Sequence, residues 1–134
     1  MPISAHEIEE VFARHPNINP PETIYVLDAP LVGQLEDETV ILRGGRPTGY
    51  DKIILTPQGD ELTVLHETIH TYGFGEFMAE FGSRFMKRVR QRIPPLRRRK
   101  VEYEAQTLGG DELGHLGIRE HRGRGRIKKF VRRK

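Results

Sequence analysis

Three residues in one short stretch have the types and the spacing that metal-dependent hydrolysis requires. His66 and His70 are four residues apart, so on a helix both lie on one face and can bind the same metal ion. Glu67 is rotated away from this pair, toward the open side of the metal, where its carboxylate can take a proton from a bound water. Two histidines leave a tetrahedral site incomplete, so the motif predicts a third protein ligand and one open position.

Two carboxylates downstream can supply that third ligand. Glu76 lies six residues after His70, beyond a glycine turn at 73–75, and Glu80 lies one helical turn later on the same face. Both can point back at the first helix if the two helices form a tight hairpin. The spacing alone leaves the choice between Glu76 and Glu80 open.

Helical signals surround the motif on both sides. Asp60 is a suitable N-cap for a helix that carries an apolar stripe: Leu62, Leu65, Ile69 and Tyr72. Because Tyr72 continues this stripe, core packing is favoured for it over a hydrogen bond to an oxyanion in the site. A second helix is predicted from near Gly75 to residue 93, where two prolines stop it.

The upstream chain must supply the layer on which these helices pack. Ser4 and Glu7 have capping-box spacing, which predicts a helix over about 5–14, with His6 and His15 exposed at its ends. Strands are predicted at 23–27, 38–43 and 51–56, with a turn at 44–47. The order of one helix, three strands and two helices indicates an α+β fold with a small mixed or antiparallel sheet.

Composition narrows the kind of protein further. The 134 residues suit one domain, and the absence of cysteine excludes disulfides and thiolate metal sites. No run of 18 apolar residues is present, and the N-terminus lacks the apolar core of a signal peptide. We therefore expect a cytoplasmic protein with no membrane among its partners.

The charge is divided sharply along the chain. Residues 84–134 carry 18 Lys and Arg against 5 acids, a net +13, whereas residues 1–83 carry 4 against 14, a net −10. We divide the chain into a domain at 1–95 and a basic C-terminal segment at 96–134. Residues 97–134 could bind nucleic acid or an acidic partner, remain solvated, or fold back on the acidic body.

The stretch from about 50 to 93 resembles the zincin metallopeptidases. The helix with His66, Glu67 and His70 matches their active-site helix, and Glu76-Phe-Met-Ala-Glu80 is similar to the glutamate helix of the gluzincin branch. The resemblance implies Zn²⁺ on His66, His70 and Glu76, with Glu67 as general base and Glu80 hydrogen-bonding a zinc-binding histidine. The spacer is shorter than in most gluzincins, which also fits Glu80 as the ligand.

Small size and a short helical hairpin make the chain most similar to the minimal archaeal members, the minigluzincins. This resemblance implies a zinc metalloendopeptidase that hydrolyses peptides or proteins and is held latent, like a zymogen, by its C-terminal segment. That segment contains several groups that could reach a metal: Glu102, Glu104, Asp111, Glu112 and His115. The alternative is a catalytically silent zincin-fold protein that binds nucleic acid or an acidic partner through its basic tail.

The choice of third ligand can be tested by metal content. If Glu76 binds the metal, we expect Glu76→Ala to purify without zinc, whereas Glu80→Ala should retain most of it, since an outer hydrogen bond contributes less than a direct ligand. Elemental analysis of both variants beside the wild-type chain measures this. The opposite pattern would assign Glu80, and zinc retained in both variants would exclude both residues.

Overall fold

The computed structural model describes residues 3–16, 18–28, 31–35, 38–42, 45–49, 51–71, 81–85, 100–108, 112 and 127–133. These parts of the chain contain, in order, helix α1 (Ala5–Ala13), strands β1 (Thr23–Leu27), β2 (Leu31–Leu35), β3 (Glu38–Leu42), β4 (Gly45–Gly49) and β5 (Lys52–Leu55), helix α2 (Glu61–His70), and strands β6 (Tyr103–Gln106) and β7 (Ile127–Arg132). Residues 81–85, between α2 and β6, are also helical. The fold is α+β, as predicted.

The N-terminal helix begins at the predicted capping box. The Ser4 hydroxyl accepts from the Glu7 backbone N–H at 3.2 Å, and the Glu7 carboxylate accepts from the Ser4 N–H at 3.3 Å. These reciprocal bonds satisfy N–H groups that a helix start leaves without intrahelical partners. Ile8 and Phe12, one turn apart, are fully buried and attach α1 to the core.

Five strands form one mixed sheet in the order β4-β5-β1-β7-β6, and β2 and β3 form a separate antiparallel pair. β1 runs parallel to β5 and antiparallel to β7, while β4 and β6 pair antiparallel at the two edges. The strands predicted at 23–27, 38–43 and 51–56 are confirmed as β1, β3 and β5 to within a residue at each end.

The turn predicted at 44–47 is wrong in part, since Gly45–Gly49 is the edge strand β4. Pro47 cannot donate to a ladder, which is tolerated at an edge. Gly45 is required where β4 approaches β5, because a Cβ atom there would lie 2.2 Å from the Ile54 carbonyl oxygen. A proline and two glycines therefore occur in a strand that pairs on one side only.

The C-terminal segment contributes an inner strand. β7 pairs with β1 along the whole length of β1, from Thr23 opposite Val131 to Leu27 opposite Ile127. The other edge of β7 pairs with β6. Of the alternatives left open for this segment, residues 127–132 follow the one in which it folds back on the body. The sheet thus spans the division that we drew between residues 95 and 96.

The two faces of the sheet are covered differently. Ile24, Val26 and Phe130 point to the face on which both helices pack, and share one core with Phe12 and Leu65. The opposite face carries a smaller cluster, in which Tyr25, Leu27 and Ile54 pack with Leu108 and Ile127. Within the described residues, no helix has the length and apolar character needed to cross a membrane.

Integration of the C-terminal strand can be measured by stability. Phe130 is 7% exposed in the helix-facing core, so Phe130→Ala should lower the free energy of unfolding by about 3 kcal/mol. Lys128→Ala, two residues away on the same strand and exposed, is the matched control and should change it by less than about 0.5 kcal/mol. Urea unfolding followed by circular dichroism gives both values, and equal stability of the two variants would contradict the pairing of β7 with β1.

Candidate metal centre

The helix that carries the motif forms where the sequence predicts it. The Asp60 carboxylate accepts from the Thr63 backbone N–H at 3.0 Å, which caps α2, and Glu61 in the first turn suits the helix dipole. Val64, Leu65 and Ile69 are buried and hold one side of α2 against the sheet. This packing determines which side chains of the motif remain accessible.

His66 and His70 lie together on the partly exposed side of α2. Their Nε2 atoms are 3.1 Å apart and form a hydrogen bond in which one imidazole donates and the other accepts, and the two rings are inclined by 68° with centroids 4.8 Å apart. A metal ion bound by both nitrogens would replace this hydrogen bond. The four-residue spacing has thus brought two imidazole nitrogens to one point, as the motif predicts.

This separation suits a shared metal ion. Zinc binds histidine nitrogen at about 2.0–2.1 Å in tetrahedral geometry, which separates two nitrogen ligands of one ion by about 3.3 Å. The Nε2–Nε2 distance of 3.1 Å requires an N–Zn–N angle of about 98°, within the distortion that zinc tolerates because it has no geometric preference from its d electrons. His66 and His70 therefore fit as two ligands of one zinc ion.

Glu67 differs from the two histidines in its exposure. Its side chain is 8% exposed, whereas His66 and His70 are half-buried. A buried carboxylate interacts more strongly with nearby charge than an exposed one, because less water screens it. The motif therefore consists of two half-buried candidate ligands and one buried carboxylate.

The remaining predicted site residues, Tyr72, Glu76 and Glu80, lie outside the described residues. Among the residues that the structure does describe, no group of three or more His, Asp or Glu side chains could hold a metal ion. The described residues thus include two candidate ligands and the candidate base, and the third ligand stays a prediction.

Part of the second predicted helix is present and packs against the motif helix. Residues 81–85 are helical. A Cβ atom on Gly82 would lie 3.0 Å from Cδ1 of Ile69, the residue before His70, and Ser83 is only 2% exposed. The close approach of Gly82 to Ile69 supports the helical hairpin on which the choice of Glu76 or Glu80 depends.

The C-terminal carboxylates that could have reached the metal are held elsewhere. Glu112 accepts from the Tyr25 hydroxyl at 3.0 Å and from Lys129 Nζ at 2.8 Å. Tyr25 points to the face of the sheet opposite α2, so Glu112 is on the far side from His66. Glu102 and Glu104 both pair with Arg133. Asp111 and His115 lie outside the described residues.

One histidine was misjudged from the sequence. His15 was expected at the surface but is 3% exposed, and its Nε2 lies 3.3 Å from Glu61 Oε1. His6 is exposed, as expected. The His15–Glu61 contact joins the end of α1 to the first turn of α2, and no local pattern signals it because the partners are 46 residues apart.

No family model, curated protein or solved structure matches the chain. A metal centre is therefore supported by the motif, by the helix that carries it and by the distance between the two histidine nitrogens.

The Tyr25–Glu112 contact predicts a loss of stability at high pH. Burial, the hydrogen bond to Glu112 and the negative charge of that carboxylate together raise the pKa of Tyr25 from 10.0 to about 12. The neutral phenol therefore stabilises the fold below pH 10, and this contribution is lost as the pH rises from about 10 to 12.

Tyr25→Phe is the matched control, since it keeps the ring and removes the ionising group. The free energy of unfolding of the wild-type chain should fall more steeply than that of Tyr25→Phe between pH 10 and 12. Urea unfolding at several pH values measures the difference, and tyrosinate absorbance reports the ionisation directly. Parallel pH profiles for the two proteins would exclude a raised pKa at Tyr25.

Proposed function

We propose that this protein is a zinc-dependent metallopeptidase. One observation carries the proposal: the Nε2 atoms of His66 and His70 lie 3.1 Å apart on one side of α2, with the buried Glu67 directly beside His66. A site with structural zinc alone gives no role to a glutamate at this position, whereas hydrolysis needs a base there.

His66, His70 and Glu67 have different roles in the proposed peptide hydrolysis. Zn²⁺ held by this donor set supplies Lewis-acid polarisation of a carbonyl and a nucleophile at neutral pH. His66 and His70 present their Nε2 lone pairs as ligands. Glu67 accepts a proton at its carboxylate during attack and then donates it to the leaving amine nitrogen. Its burial keeps bulk water from competing for that proton.

The resemblance to the glutamate helix of the gluzincins favours Glu76 as the third ligand, with Glu80 in the outer hydrogen bond to a ligating histidine. The contact of Gly82 with Ile69 supports a second helix packed on α2, and it is compatible with either carboxylate as the ligand.

We keep latency as part of the proposal, with a narrower set of candidate groups. Glu102 pairs with Lys100 and Arg133, and Glu104 also pairs with Arg133. Glu112 is held by Lys129 and Tyr25. Of the five groups in the C-terminal segment that could reach a metal, Asp111 and His115 therefore remain as candidates. Removing the chain after Lys100 would not test latency, because β6 and β7 would be lost with it.

The alternative of a silent protein that binds nucleic acid through its tail has less support. Binding to phosphates requires accessible, unneutralised cations. Lys129 is mostly buried and paired with Glu112, and Arg133 is paired with two glutamates. Residues 127–132 serve as an inner strand, so this part of the tail is engaged within the fold.

The role of Glu67 can be separated from that of the ligands. Glu67→Gln should keep zinc, since Glu67 is not a ligand, but should lower kcat for peptide hydrolysis about 10²–10⁴-fold, the usual contribution of a general base. Elemental analysis and cleavage of a broad peptide library measure the two properties on the same preparation.

His66→Ala is the control for metal loss, and it should lose both zinc and activity. A Glu67→Gln variant that cleaves as fast as the wild-type chain would exclude Glu67 as the base. A well-folded wild-type protein that binds no zinc would remove the metallopeptidase proposal altogether.

A further inference from the structure

A buried histidine and a glutamate join the helix of the proposed metal centre to the end of α1. His15 follows α1 by two residues, and its Nε2 lies 3.3 Å from Oε1 of Glu61, the first residue of α2. Because an ionised carboxylate only accepts hydrogen bonds, we assign Nε2–H as the donor. The two side chains are 2% and 18% exposed, so the contact is directional and largely shielded from water.

The backbone holds His15 firmly on its own side of this contact. Its N–H donates to the Phe12 carbonyl at 3.3 Å, and its carbonyl accepts from the Ile18 N–H at 3.2 Å. Phe12 and Ile18 are both buried in the core on which α2 packs. The imidazole is therefore attached to a part of the backbone whose position the core sets.

Apolar packing and the chain connection leave the rotation of α2 about its own axis loosely defined. Val64, Leu65 and Ile69 are buried against the core, and apolar burial is non-directional. Residues 56–60 connect α2 to β5 and so attach the helix covalently at one point. The hydrogen bond from His15 to the first turn adds a second, directional attachment, and two attachments define an orientation that one does not.

A metal centre depends on this rotation more than an apolar core does. Groups at the surface of a helix lie about 5–6 Å from its axis, so a rotation by about 10° moves them by about 1 Å. Metal–ligand distances stay within about 0.2 Å of their preferred values. His66 and His70 rotate together, so their own separation is unaffected, whereas their distance to a third ligand outside α2 changes.

We propose that His15 and Glu61 are positioning residues for the metal centre. Their hydrogen bond fixes the rotation of α2, and this rotation directs His66 and His70 toward the third ligand. Glu61 precedes His66 by five residues, or about 7.5 Å along the helix, so it acts through the orientation of α2 and not as a ligand. The inference rests on the proposed function, because only a bound metal makes the orientation matter.

The test is the zinc affinity of the folded full-length chain, titrated against a chelating indicator. His15→Leu and Glu61→Ala each remove the hydrogen bond and should bind zinc about tenfold more weakly, the lower end of the 10–100-fold effect of contacts that orient metal ligands. His15→Gln keeps an amide N–H donor near the position of Nε2 and should restore most of the affinity. Circular dichroism verifies that each variant is folded, and if His15→Leu does not fold, Glu61→Ala decides the question.

The coordination geometry gives a second measurement on the same variants. The absorption of Co²⁺ bound in place of zinc depends on the arrangement of its ligands. It should change in Glu61→Ala and His15→Leu and remain like that of the wild-type chain in His15→Gln. A contact that served stability alone would leave both the zinc affinity and the Co²⁺ spectrum of the folded protein unchanged.

Leu27→Ala is the matched control for lost stability. Leu27 is buried in the cluster on the opposite face of the sheet from α2, so its truncation should destabilise the fold and leave the zinc affinity unchanged. The inference is overturned if Glu61→Ala and folded His15→Leu bind zinc as tightly as the wild-type chain, or if Leu27→Ala weakens binding as much as they do. A wild-type chain that binds no zinc would instead remove the proposed function, and this inference with it.

Discussion

The backbone of β1 needs a hydrogen-bonding partner along each of its two edges, and the rest of the architecture depends on this. All five residues from Thr23 to Leu27 are buried, so their N–H and C=O groups have no access to water. β5 pairs with one edge in parallel, and β7 pairs with the other in antiparallel orientation. The final strand of the chain is therefore part of the centre of the sheet on which α2 packs.

The same pairing brings the two oppositely charged parts of the sequence together. With β7 beside β1, Lys129 reaches Glu112 on the outer face of the sheet, and Arg133 reaches Glu102 and Glu104 at its edge. The pair with Lys129 is the more protected, since only 17% and 26% of its two side chains are exposed. The acidic part (−10) and the basic part (+13) are thus separate along the sequence, whereas in the fold these basic side chains lie beside acidic ones.

One packing contact joins the helical segment at 81–85 to the helix of the proposed metal centre. Gly82 lies against Ile69, the residue before His70, because a glycine there leaves room for the side chain of Ile69. That contact sets the helical segment at 81–85 on α2, which directs Phe81 and Phe85 outward.

Local signals in the sequence determined a large part of this structure. The Ser4–Glu7 capping box, the Asp60 cap and the apolar stripe on α2 each depend on residues within a turn or two, so they could be read directly. The proposed pair of metal ligands is local in the same sense, because helical geometry alone brings His66 and His70 together. The β-branched run of β1 was equally evident.

Only the tertiary structure decided the strands and contacts whose cause is distant in sequence. β4 contains Pro47 and two glycines, and half of the residues of β7 are charged, so neither has the alternating apolar pattern of a strand. Each forms because an existing strand offers an unpaired edge. The His15–Glu61 contact and the Tyr25–Glu112 hydrogen bond likewise join residues that are 46 and 87 positions apart in the sequence. Backbone pairing and burial depend on partners brought together by folding, and a linear pattern contains no record of them.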